Sequence, residues 1–262
     1  MNNEEFPVDD EAKIPTSTAE EVVLTEAQRR RNRTIGYLKL WGIETDLSTL
    51  SIPLEATSIM ATTAEIVGKA KVFCLLSLKG QGLTLREVFA FADAYEVWEH
   101  VSVAENNYIL DEASTESTDV QFAWRYEALN ALLWALGHTK HLGLPADASD
   151  PAKAVERCVQ LVLQPDSQNA AARKARLAGA SDNNKHEPEI RGRQDGTAST
   201  PSDRSVGEAR AAKEILDAAD VAFALNAIAL SVPVGQPAPA DLHRSVVYER
   251  SLAFRWLLNP AQ

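Results

Sequence analysis

Apolar residues recur at three- and four-residue intervals along most of the chain, separated by short polar breaks. This spacing places the apolar side chains on one face of a helix, whereas strand-type alternation is weak throughout. The pattern predicts an all-α protein with about seven or eight helices. We expect one multi-helix, bundle-like domain.

Helix starts are marked by short polar signatures beside the apolar runs. Four segments have Ser or Thr followed three residues later by Glu or Gln, which is the capping-box pattern. A fifth start has aspartate followed by proline, a residue favoured at the first helical position. The five signals are Thr25–Gln28, Thr84–Glu87, Ser102–Glu105, Ser205–Glu208 and Asp150–Pro151.

Three helix bounds follow from these signals and from the glycines. The first helix should end at Gly42, and a long helix should run from about Thr57 to Leu78. Gly68 within that helix is a weak point, costing about 1 kcal/mol relative to alanine. The helix opened near Ser205 should reach about Ser231.

Composition divides the chain into four segments. Residues 1–23 are acidic, lack apolar periodicity and should be a disordered tail. Residues 24–164 form the first part of the helical domain and residues 205–262 its last part. Between them, residues 165–204 are polar and of low complexity, which is typical of a linker or a disordered insert.

The net charge of −11 bears on possible partners. Eight acidic residues and one lysine lie within the first 26 residues, and the helical segments show no basic face. We therefore expect no nucleic-acid partner, because duplex binding needs such a face. The cluster at Arg29, Arg30, Arg31 and Arg33 is interpreted as a solvated helix face, with a phosphate- or tail-binding patch as the alternative.

Two isolated cysteines, Cys74 and Cys158, lie in apolar helical patterns and indicate a reducing compartment. No secretory leader and no apolar run long enough to span a membrane is visible. The sequence therefore predicts a soluble, cytoplasmic protein without a membrane partner. It leaves the oligomeric state open.

Two helices that are apolar nearly all round carry charges that should not be buried alone. Arg125 and Glu127 lie in the first helix, at 120–137, and Glu249 and Arg250 in the second, at 245–258. Helical geometry directs the two charges of each helix to different neighbours. A third helix supplies carboxylates at three-residue spacing. The candidate buried polar network is Arg125, Glu127, Glu214, Asp217, Asp220, Tyr248, Glu249 and Arg250.

Within this network, we expect Arg125 or Arg250 to bind Asp217 or Asp220, with the Tyr248 hydroxyl donating to a carboxylate. A planar guanidinium suits such a fixed contact between helices. Local partners at four-residue spacing are Arg210 for Glu214 and Lys213 for Asp217.

Motifs for catalysis or cofactor binding are absent from the sequence. There is no glycine-rich phosphate loop, nucleophile elbow, H-E-x-x-H or C-x-x-C. His138 and His141 lie in a polar segment after a predicted helix end and favour solvation over metal binding. We assign no catalytic residue and expect no metal or cofactor, but the sequence does not decide whether the protein is an enzyme.

Several segments resemble a known family. The most specific are the run from Trp124 to Ala128 (WRYEA) and the run from Tyr248 to Arg250 (YER), and the resemblance covers about residues 27–258. The family is the domain of unknown function 4272 family. The long polar segment before Ser205 departs from its pattern. The resemblance implies a shared fold and carries over no catalytic residue.

The favoured function is a non-enzymatic, regulatory or protein-interaction module, one form of which is an immunity-type protein covering a basic partner. The alternative is an enzyme of unknown class with a carboxylate and arginine site between helices. A nucleic-acid-associated protein using the arginine cluster is a third reading. Carboxylates that converge on an open cavity would favour the enzyme, and carboxylates sealed against arginines would favour a structural role.

Overall fold

The computed structural model describes residues 24–162, 209–233 and 235–260, and these residues are helical without any β-strand. The predicted all-α fold is therefore confirmed there, while the predicted tail 1–23 and insert 165–204 lie outside the described residues. The helices are α1 Glu26–Leu40, α2 Thr63–Gly80, α3 Leu85–Ala94, α4 Val103–Leu110, α5 Glu116–Ala123, α6 Arg125–Ala135, α7 Pro151–Leu161, α8 Ala212–Ser231 and α9 Arg244–Leu258. Short 3₁₀ helices lie at Glu55–Thr57, Trp98–His100 and Pro239–Asp241.

Predicted capping signals begin four of these helices. The boxes at Thr25, Thr84 and Ser102 form in full, each with reciprocal side-chain to backbone hydrogen bonds. Asp150 accepts from the amides of Ala152 and Lys153, with Pro151 at the first helical position. These caps satisfy amides that would otherwise lack a partner in the first turn.

The long helix α2 begins later than predicted, at Thr63, after a capping box formed by Thr62 and Glu65. The residues before it are held outside the helix because they cap another one. The amides of Ile59 and Ala61 donate to the last carbonyls of α9, at N–O distances of 2.9 Å each. Extended backbone is needed to reach those carbonyls.

The apolar stretch at 120–137 is two helices, α5 and α6, which meet at Trp124 rather than running as one. The Ser77 hydroxyl donates to the Ala123 carbonyl at 3.2 Å, and the Glu127 amide bonds Trp124 instead. Gly80 permits this approach, since a Cβ there would lie 2.5 Å from backbone atoms of α5. Contact with α2 thus breaks the helix.

Helix α8 begins at Ala212, and residues 209–211 before it are not helical. The prediction of a helix opened near Ser205 and continuous to Ser231 is therefore wrong at its start, although the end is confirmed. The reason lies at Arg210, whose amide donates to the Ala135 carbonyl at 2.7 Å and whose side chain bonds the Trp134 carbonyl. These two hydrogen bonds hold the chain against the end of α6 before α8 begins. Residues 205–208 lie outside the described residues.

Helix α6 lies at the centre, and each of its residues from Arg125 to Ala135 is buried. It packs against α2, α7 and α9, and α9 packs in turn against α8. A second, smaller core joins α1, α8 and α9 through residues such as Leu38, Leu225 and Val247. The enclosure of α6 confirms the interpretation of its all-round apolar pattern.

Cys74 of α2 and Cys158 of α7 are fully buried free thiols. The neighbouring Cys74 thiol and burial both raise the pKa of Cys158. Because an exposed thiolate must attack the disulfide of Ellman's reagent, we expect neither cysteine to react with this reagent in the native protein. Both should react in 6 M guanidinium chloride, because only hyperstable domains have unfolding midpoints above roughly 5 M. Rapid release of thionitrobenzoate from the native protein would contradict this prediction.

Candidate functional site

Two ion pairs cross between the central helix α6 and the last helix α9. Arg125 of α6 binds Glu249 of α9, and Arg250 of α9 binds Glu127 of α6 with an N–O distance of 3.3 Å. All four residues are buried. Each helix therefore supplies one acid and one base, and the pairs run in opposite senses across one interface. The four residues belong to the two segments that carry the family resemblance.

The Glu127 and Arg250 pair also fixes two loops. Glu127, which is fully buried, accepts a hydrogen bond of 2.5 Å from the Ser149 amide ahead of α7. Arg250 donates from Nη1 to the carbonyls of Leu142 and Gly143 at 2.9 and 3.1 Å. Burial lowers the pKa of Arg250 while Glu127 raises it. These bonds replace the water that both charges lose.

Lys213 binds Asp217 at 3.0 Å, as predicted, but the predicted cross-helix partners of Asp217 and Asp220 are wrong. These carboxylates of α8 bind arginines of α1 rather than Arg125 or Arg250. The α1 helix packs on α8 and presents Arg30 and Arg31 on its buried face. The arginine cluster is thus not a solvated face, because two of its members are buried.

Arg31 and Asp220 form a bidentate pair, with N–O distances of 3.1 and 2.7 Å. Asp220 is fully buried and accepts a further bond of 2.6 Å from the Thr34 hydroxyl. The other N–H groups of Arg31 bind the carbonyls of Leu47, Leu50 and Ser51. All five donors of this guanidinium are therefore used, which joins α8 to the loop after α1.

Asp217 lies nearer the surface and contacts three cations, Arg30, Arg33 and Lys213. Burial raises its pKa, but hydrogen bonds from Arg33 and Lys213 outweigh that effect and hold the pKa below its ordinary value. Arg30 also donates to the Pro53 carbonyl and to Glu55. Like the buried Arg31 and Asp220 pair, this cluster joins α1 to α8, but it lies nearer the surface.

The remaining predicted residues, Glu214 and Tyr248, lie at the edge of the network. Glu214 binds Arg210 at 3.3 Å, the predicted partner at four-residue spacing. Tyr248 is 43% exposed, and none of the described hydrogen bonds comes from its hydroxyl. The expected bond from Tyr248 to a carboxylate is therefore absent from the described residues, since the tyrosine lies on the outer side of α9.

Two further buried cations did not stand out from the sequence. Lys69 of α2 binds Glu105 of α4 at 2.6 and 2.7 Å, and Glu105 also completes the capping box at Ser102. Lys79 donates to the carbonyls of Tyr108 and Asp111. Burial lowers the pKa of Lys79. Both lysines sit in the apolar pattern of α2, where only a contact from another helix identifies their role.

Cavities adjoin the network at two places. Glu249 borders a cavity of about 400 Å³ between α5, α8 and α9, and its Oε2 is buried without a partner in the described residues. Burial raises the pKa of Glu249, and Arg125 opposes that shift. Arg250 borders two other cavities of about 530 and 540 Å³ on either side of the loop that contains His141.

One surface segment, Leu85–Ala123, has nearly uniform charge, and we call it the acidic segment. It holds nine acidic residues and a single lysine or arginine, Arg86. Its helices α3, α4 and α5 all pack on α2. Phe89, Val103 and Leu110 are exposed apolar residues on it. The exposed carboxylates are those of Glu87, Asp93, Glu96, Glu99, Asp111, Glu112 and Glu116.

Metal ligands and membrane spans were sought among the same residues. No group of three or more His, Cys, Asp or Glu side chains in the described ranges is arranged to hold a metal ion. No helix within those ranges combines the length and the apolar character needed to cross a bilayer.

The fold and the network define an all-α domain whose helices are joined by buried ion pairs. The model of the domain of unknown function 4272 family (DUF4272) matches residues 30–182 and 182–262. The chain belongs to this family, which confirms the resemblance of its Trp124–Ala128 and Tyr248–Arg250 segments. No curated protein and no solved structure matches the chain.

Proposed function

We propose that this protein is a non-enzymatic binding module that engages a basic protein partner through its acidic segment. An immunity-type or regulatory role is the form of this function that fits best. The acidic segment is the observation that carries the proposal. Within Leu85–Ala123, seven carboxylates are exposed, and Arg86 is the single exposed arginine or lysine.

Charge complementarity identifies the partner's chemistry. A surface of one sign attracts a surface of the opposite sign and raises the rate of association. The exposed apolar side chains of Phe89, Val103 and Leu110 supply area that a partner could cover. A basic protein with apolar residues among its cations would complement both features.

The placement of the predicted carboxylates supports a structural rather than a catalytic use. Each of them contacts at least one arginine, and Glu127 and Asp220 have no exposed surface. A catalytic carboxylate needs access to substrate. Glu249 is the predicted carboxylate that borders a cavity, and an enzymatic role would depend on its free oxygen.

Reversing charge on the acidic segment tests the proposal. The tagged full-length chain is used to capture proteins from extract of the cells that produce it. We expect one basic protein at stoichiometric yield. The double variant Glu112→Lys/Glu116→Lys should reduce that yield at least tenfold, because both residues are exposed and the change places cations against the partner's cations.

The matched control is Glu44→Lys/Glu156→Lys, which changes the net charge equally at exposed positions outside the acidic segment. This control should retain the partner. Circular dichroism checks that both variants keep their helical content. Recovery of no stoichiometric basic protein, or equal loss with both variants, would refute the proposal.

A further inference from the structure

A cavity of about 530 Å³ lies between the end of α6, the loop that follows it and the first turns of α7. Its volume is within the range of small-molecule sites, roughly 300–1,000 Å³. The charged side chains around it are mostly cationic. They are Lys140, Lys153, Arg157 and Arg250, with His138 and His141 beside them, and Asp150 is the single acid.

Some of these cations have hydrogen-bond donors without a partner among the described residues. Arg157 and the Lys140 ammonium make no hydrogen bond or ion pair with the described residues. The guanidinium of Arg250 is paired with Glu127, but its Nη2 makes no hydrogen bond with those residues. This differs from Arg31, whose five donors all have partners within the fold. Unpaired cations around a concave surface attract an anion.

The acid of the cavity does not cancel this charge. Asp150 caps α7, where its Oδ1 accepts from two backbone amides, and its Oδ2 lies 3.7 Å from the Lys153 ammonium. Glu127 does not line the cavity, and it is bound to Arg250 and the Ser149 amide. The cations therefore outnumber the carboxylates that they could neutralise.

We propose that this cavity binds a small phosphate ester, with Lys153, Arg157 and Arg250 holding its phosphate group. A phosphate ester carries close to two negative charges near neutral pH, so several cations that line one cavity suit it better than they suit a single carboxylate. The planar guanidinium of Arg157 can bind two phosphate oxygens, Arg250 can donate from Nη2, and Lys153 adds a point charge. The volume exceeds that of a lone phosphate, so an organic group should accompany it.

The site goes beyond the proposed protein partner and lies on different elements. The cavity is formed by α6, α7 and their loop, whereas the acidic segment is α3 to α5. A test of one therefore does not depend on the other.

Titration calorimetry of the full-length protein with sodium pyrophosphate at low salt tests the site. We expect one pyrophosphate per chain, and tighter binding than for citrate, which has comparable charge on carboxylates. The variant Lys153→Ala/Arg157→Ala should weaken pyrophosphate binding at least tenfold. Both side chains are exposed, so the fold should persist.

The matched control is Arg86→Ala/Arg255→Ala, which removes two exposed cations that do not border the cavity. It should bind pyrophosphate as the unchanged protein does. Absence of binding at millimolar pyrophosphate, equal weakening in both double variants, or citrate binding as tight as pyrophosphate would overturn the proposal.

Discussion

Replacing Asp220 by alanine should destabilise the protein by about 3–5 kcal/mol, because the change leaves the Arg31 guanidinium buried without its counter-charge. The loss extends beyond the pair, since Thr34 loses its acceptor and Arg31 also positions the loop at Leu47 and Leu50. In a chain of this size the effect corresponds to a fall in melting temperature of roughly 6–20 °C. Thermal unfolding followed by circular dichroism measures it.

The control is Arg29→Ala, which changes an exposed member of the same arginine cluster on α1. Arg29 is about half exposed and pairs with Glu26 at the surface. Exposed pairs contribute about 0–1 kcal/mol, so this variant should melt within a few degrees of the unchanged protein. Equal melting temperatures for Asp220→Ala and Arg29→Ala would show that burial of the pair does not matter.

A second large effect is expected from Arg125→Ala. This change leaves Glu249 buried with neither oxygen bonded, and it also removes the guanidinium packed 5.3 Å from the Phe122 ring centre. We expect a loss of about 3–5 kcal/mol in the free energy of unfolding. A variant that melts within a degree of the unchanged protein would contradict the role of this pair.

The pH dependence of Arg125→Ala gives an independent readout. Burial already raises the pKa of Glu249, and loss of Arg125 removes the charge that opposes this shift. A carboxyl with a raised folded pKa binds more protons in the native state than in the unfolded state, so its contribution to stability falls as pH rises. The destabilisation should therefore be larger at pH 8 than at pH 5, measured by urea unfolding at both values.

The sequence predicted the helices well where local chemistry determines them. Capping residues at Thr25, Thr84 and Ser102 act within one turn, so their pattern is sufficient. The helix predictions were wrong where a contact with a distant part of the chain determines the backbone conformation. The break at Trp124 depends on Ser77 of α2, and the start of α8 depends on Ala135 of α6.

The same distinction applies to the charged residues. The buried position of Arg125 and Glu249 follows from apolar neighbours on their own helices, but the choice of partner is tertiary. The burial of Arg30 and Arg31 could have been predicted from the sequence, because Thr34 and Leu38 follow them on one buried helix face. Four arginines in five residues were instead interpreted as a solvent-exposed helix face. No local pattern in the sequence indicates that α1 contacts Asp220.

The central claim is that opposite charges on separate helices stabilise the fold by pairing inside it. A double-mutant cycle on Arg125→Met and Glu249→Leu, with urea unfolding of all four proteins, tests it most directly. We predict that the double variant is less destabilised than the sum of the two single variants, by roughly 1–3 kcal/mol. Additive losses, with no coupling between the two sites, would contradict the account.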